Sequence, residues 1–338
     1  MNQIRLKEIL YAFPNLTIGL VGDLFLDRYL ELVPDSHELS IETDLEAYQI
    51  QSVRNSPGAL GTVMNNLTAL GVKRLVPITV IGNDGHGYDL LKSLEQLPID
   101  TSYIFQASDR LTPTYTKPMR RNSDGHWIEL NRLDVRTRAP LSADMTTAVC
   151  EAIKSVYEQT GGLIVLDQIN ESEWGVVGDA VRAAISDLVD ANEQELVFID
   201  SRSHLHAFDS GILKGNRAEI TSAAGMSENE VSTAATQLAE KTGKTVYCTL
   251  GEDGIMIASP ANEAMVVPTS PIDGPIDIVG AGDSATAGIV CALMAGATPI
   301  EAAQIANLIA SITVQQLGTT GTATPEQVIS SWQHMNRD

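Results

Sequence analysis

Five short runs rich in Val, Ile and Leu, at 17–21, 75–81, 163–167, 196–200 and 245–250, are separated by stretches long enough to form helices. This alternation constrains the fold more than any other feature. Strands apolar on both faces must be covered on both, and parallel strands need a crossover of roughly a dozen residues, usually a helix. Helix-length segments at 60–70, 87–97, 143–159, 175–191 and 227–242 supply the crossovers, and three more follow at 281–295, 299–317 and 325–336. The expected fold class is α/β: a doubly wound, mostly parallel sheet flanked by helices.

Two stretches break the rhythm. Residues 28–51 and 112–133 alternate apolar with polar side chains, and the second reads as a hairpin turning at Asn122-Ser123-Asp124-Gly125. Strands with one wet face suit a small β lid standing off the main body. No repeat, low-complexity tract or long linker divides the chain, so residues 1–338 are expected to form a single domain with lid strands at about 28–51 and 112–133.

Composition narrows the function classes. With 43 acidic against 22 basic side chains the net charge is −21, which disfavours a nucleic-acid partner. A hydrophobic share of 43% with 19% charged residues is enough to build a core, which disfavours disorder. Cys150, Cys248 and Cys291 form no CxxC and no Cys/His cluster, so neither a disulfide scaffold nor a zinc site is expected, and the reducing cytoplasm is the expected location. The most apolar window, 285–297, is shorter than the roughly 20 residues a bilayer requires, so no membrane partner is expected. His204-x-His206 is the one histidine pair with ligand-like spacing, and its loop context predicts a surface position.

The chemistry concentrates at Asp277-Ile278-Val279-Gly280-Ala281-Gly282-Asp283, directly before a helix of small residues. Gly280, Ala281 and Gly282 leave backbone N–H groups unobstructed at a helix start, where the dipole adds positive charge and an anion can bind. Asp283 in that first turn is either a cap or a general base for a hydroxyl nucleophile. Gly280-x-Gly282-x-x-Ala285 also fits a dinucleotide fingerprint with Glu301 as ribose acid, but little chain follows to build that domain, so a nicotinamide-dependent oxidoreductase is a minor alternative. Asn216 and Glu219 stand three apart on one prospective helix face and could hold hydrated Mg²⁺ near phosphates, or be purely structural. Thr249, Gly251 and Gly254 end a strand in a close-fitting turn. Asp23 and Asp27 lie at the carboxyl end of the first strand, where open α/β sheets bind ligands.

In this order, over nearly the whole chain, these motifs resemble the ribokinase-like (PfkB) carbohydrate kinases. Residues 277–283 are close to that family's D-T-x-G-A-G-D signature, and the segment Val21-Gly22-Asp23-Leu24-Phe25-Leu26-Asp27 is most similar to its heptose 7-phosphate kinases. The resemblance implies ATP and Mg²⁺ as cofactors, a monovalent cation in many relatives, and a sugar or sugar phosphate as substrate. It implies Asp283 as base and Gly280, Ala281 and Gly282 as the anion hole. Asn216 and Glu219 would organise Mg²⁺, with Thr249, Gly251, Gly254 and Asn307 along the nucleotide. Asp23, Asp27, Gly58, Thr62, Lys117 and Arg132 would face the substrate. The family's sugar segment G-G-A-x-N reads here Gly58-Ala59-Leu60-Gly61-Thr62, and the heptose kinases' Asp-Tyr-x-Lys-Gly reads Asp167-Gln168-Ile169-Asn170-Glu171. These departures leave room for a catalytically silent sugar- or nucleotide-binding relative. Lid strands with open edges would also allow a homodimer.

Charge is unevenly spread. Between 110 and 138 seven basic residues (Arg110, Lys117, Arg120, Arg121, Arg132, Arg136, Arg138) face three acidic ones (Asp124, Glu129, Asp134). That stretch is either a solvated hairpin or a source of positive potential for a phosphorylated substrate.

Overall fold

A computed structural model describes residues 1–34, 37–122, 124–192, 196–260 and 262–335. Ser123 of the expected turn and Asn336 at the expected end of the last helix lie outside the described residues. The strands in chain order are β1 (Thr17–Gly22), β2 (Leu24–Leu32), β3 (Ile50–Ala59), β4 (Arg74–Gly82), β5 (Ile104–Ala107), β6 (Thr114–Arg121), β7 (Trp127–Glu129), β8 (Leu133–Val135), β9 (Gly162–Asp167), β10 (Leu196–Ser201), β11 (Ile212–Asn216), β12 (Val246–Thr249), β13 (Ile255–Ala258) and β14 (Met265–Val267). The helices are α1 (Gln3–Ala12), α2 (Leu60–Ala69), α3 (Gly85–Leu94), α4 (Ala143–Tyr157), α5 (Asp179–Ala191), α6 (Arg217–Ala223), α7 (Val231–Thr242), α8 (Ala281–Met294), α9 (Pro299–Thr313) and α10 (Pro325–Met335).

Among the described residues nine strands form the main sheet, in the order β14-β13-β12-β11-β10-β9-β1-β4-β5. Its pairs are parallel from β5 to β12, and only β13 and β14 run antiparallel at one edge. Alternate side chains feed two apolar layers, as strands covered on both faces require. Ile164 and Leu166 join α1, α2, α8 and α9 on one side, while Leu163 and Val165 join α4, α5 and α7 on the other. The five expected strands are all present. The sequence reading omitted β5, β11, β13 and β14, which are short or end in polar and glycine residues where apolar patterning is weak.

The lid is a second sheet, of five strands among the described residues: β3-β2-β6-β7, with β8 beside β6. β2 begins at Leu24, inside the body, rather than near 28, and β3 continues to Ala59. The cause is Gly22, at φ +151°, where a Cβ would stand 2.0 Å from the Leu166 carbonyl oxygen. A residue without a side chain lets the chain pass β9 there and turn straight from main sheet to lid. The lid is thus rooted in the body.

Candidate active site

A cleft of about 800 Å³ opens at the carboxyl ends of the main strands. Asp200 and Arg202 at the end of β10, Lys214 and Asn216 of β11, and Thr249 of β12 contribute to its wall together with Gly280–Asp283. In open α/β sheets this is where ligands bind.

Gly280 caps α8 in the left-handed region, at φ +81° and ψ 0°. A Cβ on it would lie 3.3 Å from Thr320 Cγ2 and 3.5 Å from Thr62 Cγ2, so the turn is packed from two sides. Of the three residues expected to present donors, Ala281 spends its N–H on the Ile278 carbonyl at 3.1 Å. The first intrahelical bond runs from Ser284 N–H to Gly280 O at 2.9 Å. That leaves the Gly282 and Asp283 N–H groups without an intrahelical acceptor, aimed from a helix start as an anion cradle.

Lys214 adds charge to this cradle. Its Nζ is 3.2 Å from where a Cβ on Gly282 would stand. The ammonium donates to Asp200 Oδ2 at 2.7 Å, and Thr286 Oγ1 donates to the same oxygen at 2.8 Å. Burial opposes the lysine's charge, but the Asp200 carboxylate, together with Glu219 and Asp283, outweighs it and raises the Lys214 pKa. Sequence patterning missed Lys214, Asp200, Arg202 and Thr286 as site residues. The available signals were an acid ending the apolar run at 196–200 and a lysine in the next strand.

Asp283 sits in the first turn of α8, and burial together with the Asp200 charge pushes its carboxyl up to about 7. Lys214 and Arg202 pull in the opposite direction, and Asp27 of the lid adds to the rise. Arg202 is oriented by its N–H contact with Gln168 Oε1 at 3.0 Å, and both line the cleft. A carboxyl poised near neutrality beside backbone donors can take a proton from a hydroxyl while an anion is held a few ångströms away.

Asn216 and Glu219 make a capping box at the start of α6. Asn216 N–H donates to Glu219 Oε2 at 2.7 Å, and Glu219 N–H donates to Asn216 Oδ1 at 2.9 Å. Both open on the cleft. Among the described residues no three His, Cys, Asp or Glu side chains converge as a metal cage. Asn216 and Glu219 present an amide and a carboxylate to the cleft, a donor set that suits Mg²⁺ held mainly through water. Gly251 and Gly254 have φ +62° and +95°, and a Cβ on Gly254 would stand 2.2 Å from the Val267 carbonyl oxygen. Asn307 donates through Nδ2 to the Val267 and Pro268 carbonyls at 2.9 and 3.2 Å, tying α9 to that wall.

The residues expected to face the substrate form a separate group at the lid. Lys117 Nζ lies 3.1 Å from Asp27 Oδ1 and donates to Tyr29 Oη at 3.3 Å. A Cβ on Gly58 would meet Asp27 Oδ2 at 2.5 Å, so glycine leaves that carboxylate its position. Thr62 in α2 is buried and touches the region of Gly280, joining this group to the cradle. Arg132 is more open: it pairs with Asp134 at 2.6 and 3.0 Å and lies 4.3 Å over the Tyr115 ring. Ala59, in place of the expected second glycine, keeps a glycine-like φ of +51° with ψ −113°.

Two expectations are corrected. Asp23 is not free for a ligand: it is 2% exposed, Oδ1 accepts Val176 N–H at 2.8 Å and Oδ2 accepts Gln168 N–H at 3.1 Å. Burial and the nearby Asp167 raise it to about 6, and its work is to hold the loop after β9. His204 is not on the surface: it is buried, and its Nδ1 is 2.9 Å from Asp167 Oδ2, beside Ser201. The dinucleotide alternative also fails on topology. Among the described residues no strand leads into Gly280 and none follows α8, and Glu301 caps α9 with Thr298 and pairs with Arg5 at 3.2 Å.

The fold is ribokinase-like α/β. Arabidopsis thaliana ribokinase complexed with ribose and ATP superposes with a TM-score of 0.65 at 18% identity over 94% of this chain and 98% of that one. Escherichia coli phosphofructokinase-2 in complex with fructose-6-phosphate gives 0.71 at 18% over 95% and 100%. Residues 21–327 match the family model described as pfkB family carbohydrate kinase, and the chain belongs to that family. Within it, the chain is 29% identical over 338 residues to the bifunctional protein HldE of Pelobacter propionicus, covering 98% of this chain and 66% of that protein. It is 28% identical over 345 residues to HldE of Trichlorobacter lovleyi, covering 100% and 67%. The chain therefore spans about two thirds of the length of these relatives. Among the described residues no helix is long and apolar enough to cross a membrane.

Proposed function

We propose that this carbohydrate kinase transfers the γ-phosphate of ATP to a hydroxyl of a sugar or sugar phosphate, with Asp283 as base. The observation that carries the proposal is a carboxyl raised to about 7 in the first turn of α8, beside an anion cradle backed by Lys214. The acceptor hydroxyl gives its proton to Asp283 as its oxygen attacks the γ-phosphorus. The bond from that phosphorus to the bridging oxygen breaks and ADP leaves. Gly280 shapes the turn so that the Gly282 and Asp283 N–H groups, with Lys214, meet the charge on the transferring group.

ATP would lie along Thr249, Gly251, Gly254 and Asn307. Asn216 and Glu219 would hold hydrated Mg²⁺, which when bound neutralises phosphate charge. For a monovalent cation Asp277 offers a carboxylate that already accepts Val279 and Gly318 N–H groups at 3.0 Å each. The dependence of rate on potassium would decide that point. Asp27, Gly58, Thr62 and Lys117 would meet the acceptor, with Arg132 at the rim of the lid. Similarity to the HldE proteins and these two cations favour an acceptor already carrying phosphate, of the heptose 7-phosphate kind. The lid also ends in open edges and exposes Val53, Trp127 and Leu133, which supports pairing of two copies through it.

ADP release measured across sugars, sugar phosphates and nucleosides tests the function. Substrate-dependent turnover with phosphorylated sugars is expected, and no turnover across the panel overturns the proposal. A second reading, a silent binder, rests on Ala59 and Thr62 replacing the family's sugar-binding residues; calorimetric sugar or nucleotide binding without turnover would favour it.

A further inference from the structure

A second cavity, of about 440 Å³, lies at the root of the lid, outside the cleft. Two connections between lid and body wall it: residues 107–111, leaving β5 towards β6, and 134–142, leaving β8 for α4. Arg110, Arg136 and Arg138 line it, against Asp109 and Asp134. Asp134 is shared, since it holds Arg132 at 2.6 Å and Arg136 at 3.5 Å. Arg138 has no ion pair among the described residues.

The wall also carries unmet hydrogen-bonding capacity. Arg110 is 9% exposed and donates once, to the Trp174 carbonyl at 2.6 Å, while its buried Nε has no partner among the described residues. Thr137, 6% exposed, has a buried hydroxyl in the same condition. Buried polar atoms left this way are costly, while Arg136 and Arg138, which are exposed, are the groups that a ligand in the cavity can reach. Ser142 and Met145 bring in the positive end of α4, a 15-residue helix, although Asp144 in its first turn opposes part of that field. Leu111, Val135 and Leu141 supply an apolar remainder.

We propose that this hinge cavity binds a small phosphate ester, independently of the active site. The basic stretch at 110–138 is accordingly divided between two tasks. Lys117 and Arg120 are held on the lid by Asp27 and Glu46, while Arg110, Arg136 and Arg138 gather at the hinge. Both walls are lid-to-body connections, so a bound ligand joins them and ties the lid to the body.

The test uses pyrophosphate as probe on the full chain, titrated calorimetrically with the cleft first saturated by a non-hydrolysable ATP analogue and Mg²⁺. One further site is expected, and the double variant Arg136→Gln/Arg138→Gln should weaken it by roughly tenfold or more, as the loss of charge-assisted hydrogen bonds implies. Hydrogen exchange should show pyrophosphate protecting amides at 107–113 and 135–145 in the wild type. Unchanged affinity in a double variant that keeps the wild-type melting temperature overturns the proposal, as does binding of citrate without pyrophosphate. If the ATP analogue itself fails to bind, the wild-type and double-variant titrations still decide the hinge site, because neither arginine lines the cleft.

Discussion

Lys214 donates to Asp200 at 2.7 Å while its Nζ stands 3.2 Å from the Cβ position of Gly282, so one buried ion pair backs the anion cradle. The pair joins the ends of β10 and β11 to the first turn of α8. Lys214→Gln leaves Asp200 without its counter-charge in a buried site. A loss of about 3 kcal/mol or more in urea denaturation is expected, in line with breaking buried pairs. The variant should also raise the Asp283 pKa further, because Lys214 now lowers it. An unchanged acid limb in the pH–rate profile would separate Lys214 from Asp283.

Asp283→Asn should lower kcat by about two to four orders of magnitude, the usual range for a general base, with ATP affinity nearly unchanged. In the wild type, kcat/KM should rise with a midpoint near pH 7 as the carboxyl ionises. Stability should move the opposite way. A carboxyl raised to about 7 in the fold binds its proton more tightly than in the unfolded chain, so its contribution is complete below the ordinary carboxylate range and is lost as pH rises through 7. Asp283→Asn should therefore flatten the decline in melting temperature between about pH 4 and 7. A parallel decline in both proteins would contradict the assignment.

Ala59 keeps φ +51° and ψ −113° at the start of α2, a conformation that costs an alanine of order 1–3 kcal/mol. Ala59→Gly should raise stability by about 1 kcal/mol, net of the greater backbone freedom glycine has when unfolded. A drop in the denaturation midpoint would show that the conformation is not strained.

Gly58→Ala separates function from stability. The added Cβ would first meet the carboxylate end of Asp27, at 2.5 Å, which can swing aside. The fold should survive with little change in melting temperature, while KM for the sugar substrate rises about tenfold and kcat/KM falls with it. Equal KM in the two proteins would remove Asp27 from the substrate contact.

What the sequence alone determined is what local pattern can encode. Short apolar runs spaced by helix-length segments imply a covered parallel sheet, and two glycines ahead of Asp283 imply a bare helix start. Both depend on neighbours within a few residues, so both could be read directly. The tertiary structure decided which polar side chains share a site. Asp23 and Asp27 look alike four residues apart, yet Asp23 is absorbed by backbone N–H groups of Gln168 and Val176, while Asp27 meets Lys117. Likewise Lys214, Asp200 and Thr286 meet only because β10 and β11 end, and α8 begins, at the same edge of the sheet. Strand order and the burial it creates set those partners, and neither is a property of any short segment.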